Sequence, residues 1–134
     1  MPEITQKQRI GKIGEDIASK YLQNKGFTII CRNYRKKYGE IDIIAQNSKI
    51  LHFIEVKSVS HENITQNVSH VTDSHRPEDN IHPQKLRRLS RTIQTYLLEK
   101  YPDEEPEWVF DAITVKIDLK NRGARVNFLE NLIL

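Results

Sequence analysis

The sequence predicts a single α/β domain in which a mixed central sheet is flanked by two helices, with the elements in the order αβββαββ. Two stretches carry apolar residues at the spacing of an amphipathic helix, and five shorter stretches between turn residues are rich in β-branched and aromatic side chains. The 134 residues, of which 37% are hydrophobic, suffice for one buried core but not for two ordinary domains. Residues 1–134 are therefore expected to form one domain.

The first helix is predicted from about Gln6 to Lys25. Its apolar residues recur at helical spacing: Ile10, Ile13, Ile17, Tyr21 and Leu22. Gly26 follows directly, and glycine readily adopts the left-handed conformation that commonly ends a helix.

Three short strands are predicted next, at residues 27–34, 40–45 and 49–57. They are rich in β-branched and aromatic residues, and polar turns at residues 36–39 and 46–48 separate them. Such short connections join strands that are neighbours in the sheet, so the three segments predict a β-meander.

Residues 58–82 are polar, with few large apolar side chains and no clear period, which predicts a long flexible loop. Pro83 suits the first turn of a second helix, which Pro102 ends. The apolar stripe of this helix is Leu86, Leu89, Ile93, Tyr96 and Leu97. After an acidic linker, two closing strands are predicted at residues 108–117 and 124–134.

Several features are typical of a cytoplasmic protein. No stretch approaches the roughly 20 apolar residues of a membrane span, and no apolar run follows the early acid Glu3. The single cysteine, Cys31, cannot form an internal disulfide, and its position after two isoleucines suits a small buried side chain. We therefore expect a cytoplasmic protein that does not contact a membrane.

The net charge of +3 is small, but the basic residues are unevenly distributed. They crowd the first 37 residues and recur in the second predicted helix, whereas residues 99–107 carry an acidic stretch. A positive face that binds a polyanion and an ordinary solvated surface are both compatible with this pattern.

Two neighbouring predicted strands carry the residues that point to chemistry. Because successive strand residues face opposite sides, Glu55 and Lys57 share one face while Ile54 and Val56 face the core. If the turn after residue 45 pairs the two strands, Asp42 lies across the sheet from Glu55. Two carboxylates and an ammonium group then meet on one surface.

This set supplies what phosphodiester hydrolysis requires. Asp42 and Glu55 are hard oxygen ligands for Mg²⁺ or Mn²⁺, which polarise a phosphate and acidify water. Lys57 is placed to orient or deprotonate the attacking water and to offset developing negative charge. Zinc is not favoured, because four of the five histidines lie in the predicted loop without the compact spacing of a structural zinc site.

The first predicted helix carries one further candidate, Glu15. It lies at the border of the apolar stripe, one turn after Gly11 and near the small Ala18, so there is room for close approach to a neighbouring element. Helical spacing alone leaves open whether the side chain of Glu15 faces the sheet.

At these residues the chain resembles the YraN-like family of bacterial proteins. The most specific motifs are Gly39-Glu40-Ile41-Asp42 and Ile54-Glu55-Val56-Lys57, and the resemblance extends over nearly the whole chain. It also includes residues 11–18, Tyr21-Leu22, Gly26-Phe27, Arg32-Asn33, residues 85–89, Tyr96-Leu97, Phe110-Asp111 and Asn131. That family is placed among the PD-(D/E)XK nucleases and is similar to archaeal Holliday-junction resolvases.

The resemblance implies a restriction-endonuclease-like domain and a set of site residues. Asp42 and Glu55 would be the metal ligands, with Mg²⁺ or Mn²⁺ as the cofactor. Lys57 would be the catalytic lysine, and Glu15 the helical acid of the site. Asp111 also matches the family, but at the start of a strand we expect it to make a structural hydrogen bond to a turn.

Four basic residues are candidates for contacts with nucleic acid. Arg35 lies near the predicted hairpin turn together with Tyr34 and Tyr38, whose rings would stack on unpaired bases or pack within the turn. Lys85, Arg88 and Arg91 flank the apolar stripe of the second helix. They would contact phosphates or form a solvated helix edge, and the sequence favours neither interpretation.

The predicted function is that of a Mg²⁺- or Mn²⁺-dependent endonuclease that hydrolyses structured or branched DNA; RNA is not excluded as a substrate. The alternative is a non-catalytic module that retains the nuclease fold and binds nucleic acid or a protein. Symmetrical cutting of both strands would require a homodimer. The predicted loop or the apolar end of the chain, residues 128–134, would supply the contact between the two copies.

Overall fold

The computed structural model describes residues 3–61 and 82–134. The elements within these ranges follow one another in the predicted order. They are α1 (Gln6–Asn24), β1 (Thr28–Lys36), β2 (Gly39–Asn47), β3 (Ile50–His61), α2 (Pro83–Lys100), β4 (Trp108–Asp118) and β5 (Gly123–Leu132). Thr5 begins α1 with a capping box, His82 caps α2 ahead of Pro83, and Gly26 has a φ of 95° just after α1.

The five strands in the described part of the chain form one mixed sheet in the order β1-β2-β3-β4-β5. β1, β2 and β3 are antiparallel neighbours, which confirms the predicted meander. β3 and β4 pair in parallel from Leu51↔Trp108 to His61↔Asp118. Since a parallel neighbour requires a crossover connection, α2 lies on the path that returns the chain to the beginning of β4. β5 closes the sheet, antiparallel to β4.

The two helices cover opposite faces of the sheet. Ile43 and Ile54 belong to the buried cluster under α1, whereas the adjacent residues Ile44 and Phe53 belong to the cluster under α2. This alternation is the consequence of strand geometry. It breaks near the beginning of β2, where Ile41 belongs to the cluster under α2 although Ile43, two residues later, belongs to the cluster under α1. Within the described residues, no helix is both long and apolar enough to cross a membrane.

Two glycines allow close contacts that the sequence did not predict. A Cβ added to Gly14 of α1 would lie 1.7 Å from Ser58 Oγ, so the backbone of this helix packs directly against the Ser58 side chain of β3. A Cβ added to Gly39 would lie 2.4 Å from Thr92 Oγ1 and 3.1 Å from the carbonyl oxygen of Arg88. The tip of the β1–β2 hairpin therefore packs directly against α2.

Most predicted boundaries agree with the structure to within two residues, but the predicted end of β3 is wrong by four. The sequence predicts that β3 ends at Lys57 and that a loop begins with Ser58, but β3 continues to His61. The polar residues at the end of this strand are accommodated because β4 pairs with them in parallel as far as His61↔Asp118. His61 thus lies in a strand and not in the predicted loop. The rest of that loop, residues 62–81, lies outside the described residues.

Candidate active site

β2 and β3 separate where each strand carries a carboxylate. Their backbone pairing ends at Ile43↔Ile54, one residue before Asp42 and Glu55. Beyond this point a side chain takes over, because Asp42 Oδ2 accepts the backbone N–H of Val56 at 2.7 Å. The structure therefore brings Asp42 and Glu55 together at the opening between the two strands.

The carboxyl groups of Asp42 and Glu55 are close enough to share a proton. Burial, a side-chain hydrogen bond with Glu55 and the charge of Glu55 raise the pKa of Asp42 from 3.8 to about 8, while the N–H of Val56 acts in the opposite direction. Two neighbouring carboxylates in a poorly solvated place repel each other, so the pair retains a proton unless a cation intervenes.

Glu55 has an oxygen that the protein does not satisfy. Its side chain is only 13% exposed, and Glu55 Oε1 lies 3.4 Å from Lys85 Nζ. Glu55 Oε2 is buried and, when both carboxyl groups of the pair are ionised, has no hydrogen-bond partner among the described residues. A buried carboxylate oxygen without a donor is unfavourable, and a cation beside it would remove that penalty.

The pair fits a hard divalent cation. Within residues 3–61 and 82–134, no three His, Cys, Asp or Glu side chains form a complete ligand set. Mg²⁺ does not need such a set, because it keeps several waters and is commonly held by one or two carboxylates together with substrate phosphates. Asp42 and Glu55 are thus the residues that would hold Mg²⁺ or Mn²⁺.

Glu15 approaches the pair from α1. Burial and the charge of Asp42 raise the pKa of Glu15, whereas the side chains of Asn33 and Arg32 lower it. Arg32 Nη2 lies 3.6 Å from Glu15 Oε1 and 2.8 Å from Asp16 Oδ1. The side chain of Glu15 therefore lies beside β1 and near Asp42, in a cavity of about 750 Å³ next to α1.

Lys57 occupies a different position from the acids. The strand period places it on the same face of β3 as Glu55, but its side chain is exposed. It does not line the cleft that contains Asp42 and Glu55. Among the described residues, no carboxylate forms an ion pair with Lys57.

A basic cleft of about 480 Å³ opens at the acid pair, between the β1–β2 hairpin and α2. Its basic lining residues are Arg35, Lys36, Lys37, Lys85 and Arg88. Three of the four predicted phosphate contacts, Arg35, Lys85 and Arg88, are thus next to Asp42 and Glu55. Three of these cations already face an acid, since Arg35 lies 3.1 Å from Glu40, Lys36 lies 2.8 Å from Glu99 and Lys85 lies 3.4 Å from Glu55.

Arg91, the fourth predicted phosphate contact, is used differently. It is not part of the cleft lining, and its guanidinium lies 4.0 Å from the centre of the Tyr38 ring. The hydroxyl of Tyr38 forms a hydrogen bond with that of Thr95, and Tyr34 packs edge-on against Tyr96. These contacts attach the hairpin to α2, so both tyrosine rings take part in packing.

Asp111 makes structural hydrogen bonds, as predicted, but its partners lie in strands and not in the expected turn. Its side chain is fully buried, and Asp111 Oδ1 accepts the backbone N–H of Asn131 at 2.7 Å. Asp111 Oδ2 lies 2.5 Å from His52 Nδ1. Asp111 therefore joins β4 to β3 and β5 and does not belong to the acid pair. Two further histidines considered for zinc, His70 and His75, lie outside the described residues.

Asn33 is a residue near the site that the sequence did not single out. Its φ is 55°, in the left-handed region, and it lies at the level of Asp42 on the neighbouring strand. From there its side chain hydrogen-bonds with Glu15. Asparagine tolerates the left-handed conformation better than most residues, and this preference is the only sequence feature that indicated the irregularity.

Comparison with known proteins identifies relatives of similar length. The model of the Uncharacterised protein family UPF0102 matches residues 14–115. A UPF0102 protein of Wolinella succinogenes is 37% identical over 124 residues, which cover 92% of this chain and 95% of the relative. UPF0102 proteins of Campylobacter jejuni and Clostridium botulinum are 37% and 33% identical over 122 residues, 91% of each chain. The family model spans Glu15, Asp42, Glu55 and Lys57.

Proposed function

The chain belongs to the uncharacterised protein family UPF0102, the YraN-like family that its motifs resemble, and we propose that it is a Mg²⁺- or Mn²⁺-dependent endonuclease. The observation that carries the proposal is the Asp42–Glu55 pair, which combines a raised pKa of Asp42 with an unsatisfied buried oxygen on Glu55. Such a pair is unfavourable in itself and becomes favourable with a cation between its carboxylates. The resemblance to PD-(D/E)XK nucleases supports the same assignment.

The proposed chemistry combines the position of the acid pair with the role that the family resemblance implies for Lys57, which is exposed and does not line the cleft. Asp42 and Glu55 would hold a divalent cation, which would supply Lewis-acid activation of the phosphate and of the attacking water. Lys57 orients the attacking water or takes its proton, and its charge offsets the charge that develops on the phosphate. Glu15 is the helical acid that the resemblance implies; it lies near Asp42, and burial and the repulsion between the two carboxylates raise the pKa of Glu15.

The proposed substrate is structured or branched DNA in the cytoplasm. The basic side chains of the cleft, with Lys85 and Arg88 on α2, offer several contacts to phosphates beside the acid pair. RNA has the same phosphodiester chemistry and remains within the proposal. Cutting both strands of a junction symmetrically requires two sites related by a two-fold axis, so the resolvase-like form of the activity includes a homodimer.

The test compares cleavage of labelled linear, flap and four-way-junction DNA, and of one structured RNA, with Mg²⁺, Mn²⁺ or EDTA. Asp42→Asn, Glu55→Gln and Lys57→Met should each lower the rate by at least about a hundredfold, in line with the loss of metal or acid–base catalysis. Glu104→Gln, which changes an exposed acid of the linker, is the matched control. Cleavage that persists in all three site variants would disprove the proposal.

One observation favours a second candidate, a non-catalytic module that binds nucleic acid. Lys85 Nζ already lies 3.4 Å from Glu55 Oε1, so a lysine of the protein itself partly compensates the acid pair. In that case Mn²⁺ would not bind at the pair, and DNA would bind without being cut. Titration calorimetry with Mn²⁺ on the wild type and on Glu55→Gln distinguishes the two candidates, because only the nuclease loses metal binding with that substitution.

A further inference from the structure

A second basic cavity lies on β4 and β5, outside the cleft described above. It measures about 420 Å³ and is lined by Thr114, Lys116, Arg125, Val126 and Asn127. In β4 the residues Ile113, Val115 and Ile117 pack under α1, so the alternating residues Thr114 and Lys116 belong to the opposite face. That is also the face of Glu55 and Lys57. We name this site the β4–β5 cavity.

The β4–β5 cavity combines positive charge with an unused donor. Among the described residues that line it, Lys116 and Arg125 are the charged ones and none is an acid. Neither residue forms an ion pair with any carboxylate in the described ranges, unlike Arg32, Arg35 and Lys36. The hydroxyl of Thr114 is buried and likewise has no hydrogen-bond partner among the residues described.

The cavity is close to the acid pair, and Lys57 lies between them. In the parallel pairing of β3 with β4, Glu55 is level with Ala112 and Lys57 is level with Thr114. Neighbouring strands are about 4.8 Å apart and residues advance about 3.3 Å along a strand, so Thr114 lies roughly 8 Å from Glu55 between backbone positions. The backbone of Lys57 therefore lies beside Thr114 of the β4–β5 cavity and two residues from Glu55 of the acid pair, and its side chain is exposed.

We propose that the β4–β5 cavity is a phosphate subsite, in which Lys116, Arg125 and the Thr114 hydroxyl bind a phosphodiester group of the same nucleic-acid strand that is cut at Asp42 and Glu55. This proposal rests on the proposed function for the identity of the ligand. Two cations without internal partners supply the charge, and an anion in the cavity accepts the otherwise unused hydroxyl proton of Thr114. The nucleic-acid strand then runs from the cleft, across Lys57, to β5.

The position of the subsite explains why Lys57 is exposed. A lysine placed only for the water at Asp42 and Glu55 would be expected to line the cleft with them, and it does not. If one phosphate of the nucleic acid lies in the cleft and another in the β4–β5 cavity, the side chain of Lys57 lies between them and contacts both. The β4–β5 cavity thus extends the proposed nucleic-acid-binding surface beyond the cleft, so that the bound strand crosses β3, β4 and β5.

The test measures binding of a fluorescein-labelled four-way DNA junction by anisotropy over a range of salt concentrations, in Ca²⁺, which takes the same oxygen ligands as Mg²⁺. Lys116→Gln, Arg125→Gln and Thr114→Val are compared with Lys20→Gln, which removes an exposed charge from α1. Loss of one phosphate contact should lower the slope of log Kd against log salt concentration by about 0.7–0.9. We expect this decrease, with at least threefold weaker binding, for Lys116→Gln and Arg125→Gln, and weaker binding without a change of slope for Thr114→Val.

Several outcomes would overturn the subsite. One is that Lys116→Gln and Arg125→Gln show the same slope of log Kd against log salt concentration as Lys20→Gln. Another is that poly-glutamate competes as strongly as unlabelled junction, because the cavity would then accept any polyanion. Wild-type protein that binds no nucleic acid would overturn both the subsite and the proposed function. Wild-type protein that binds the junction with the expected loss in both charge variants, but does not cut it with Mg²⁺ or Mn²⁺, would support the subsite and contradict the nuclease.

Discussion

Asp42 Oδ2 accepts the backbone N–H of Val56 at 2.7 Å, a bond between a side chain of β2 and the main chain of β3. It forms where the backbone pairing of the two strands has ended. The same bond holds the carboxylate of Asp42 against that of Glu55, whose charge and hydrogen bond raise the pKa of Asp42. The separation of the strands thus creates an opening, and the carboxylates of Asp42 and Glu55 place unfavourable negative charge in it.

This arrangement predicts that the metal-free protein becomes less stable as the pH rises. Below about pH 4, Asp42 is protonated in both the folded and the unfolded protein. Between the ordinary pKa of 3.8 and the pKa of about 8 in the folded protein, only the folded protein keeps the proton on Asp42. The free energy of unfolding should therefore fall across this range, by at most about 1.4 kcal/mol per pH unit, and level off above it. Urea unfolding in EDTA from pH 5 to pH 8 measures the fall.

Asp42→Asn should remove most of this pH dependence, since the amide carries no titrating proton, and should be at least as stable as the wild type at pH 8. Glu104→Gln serves as the control and should retain the fall. Saturating Mn²⁺ should flatten the wild-type profile, because the cation replaces the shared proton. The geometry of the pair would be contradicted if the free energy of unfolding of the wild type rose between pH 5 and pH 8 relative to that of Asp42→Asn.

Asp111 is also a buried aspartate, but its substitution should have the opposite effect on stability. Asp111→Ala leaves the N–H of Asn131 and the ring of His52 without their acceptor in a buried place. Two such losses cost about 2–5 kcal/mol of the free energy of unfolding. Urea unfolding in EDTA at pH 7 measures the loss, with Asp103→Ala, an exposed acid of the linker, as the control. A decrease below about 1 kcal/mol, or one that Mn²⁺ restores, would contradict a purely structural role.

Two glycines on α1, one turn apart, should respond in opposite directions to the same substitution. A Cβ at Gly14 would meet Ser58 Oγ at 1.7 Å and Ser58 Cβ at 2.6 Å, whereas a Cβ at Gly11 meets nothing within 4 Å. Gly14→Ala should cost about 1–3 kcal/mol of stability, because helix and strand must move apart. Gly11→Ala should stabilise the protein by up to about 1 kcal/mol through the higher helix propensity of alanine.

Thermal and urea unfolding of the two variants provide the comparison. The double variant Gly14→Ala/Ser58→Gly should recover part of the loss, because it removes the obstructing side chain. Equal effects of Gly11→Ala and Gly14→Ala would show that helix propensity, and not the contact with Ser58, determines the outcome.

The order of the elements and the pairing of Asp42 with Glu55 could be predicted because both depend on short-range periodicity. Strand alternation places Glu55 and Lys57 on one face, and a short turn brings Asp42 to the same pair of strands. The extension of β3 to His61 could not be predicted in this way. Its hydrogen bonds come from β4, which follows more than forty residues later in the chain.

The details of the site depend on contacts between distant segments, which the sequence does not display. The approach of α1 to Ser58 requires a glycine at position 14. The left-handed backbone of Asn33 and the packing of Arg91 on Tyr38 are likewise visible only in the folded chain. Helical spacing left the direction of Glu15 open, and it is the folded chain that places this residue near Asp42.

Lys85 lies 3.4 Å from Glu55 Oε1 and should therefore compete with a metal ion for the acid pair. The side chain of Lys85 is 52% exposed, so the ion pair is partly screened and contributes at most about 1 kcal/mol. Lys85→Met should consequently bind Mn²⁺ up to about fivefold more tightly in titration calorimetry. The same variant should bind DNA more weakly, because a cleft cation is lost, whereas Arg87→Met on the exposed side of α2 should change neither property. Unchanged or weaker Mn²⁺ binding by Lys85→Met would mean that the cation does not use Glu55.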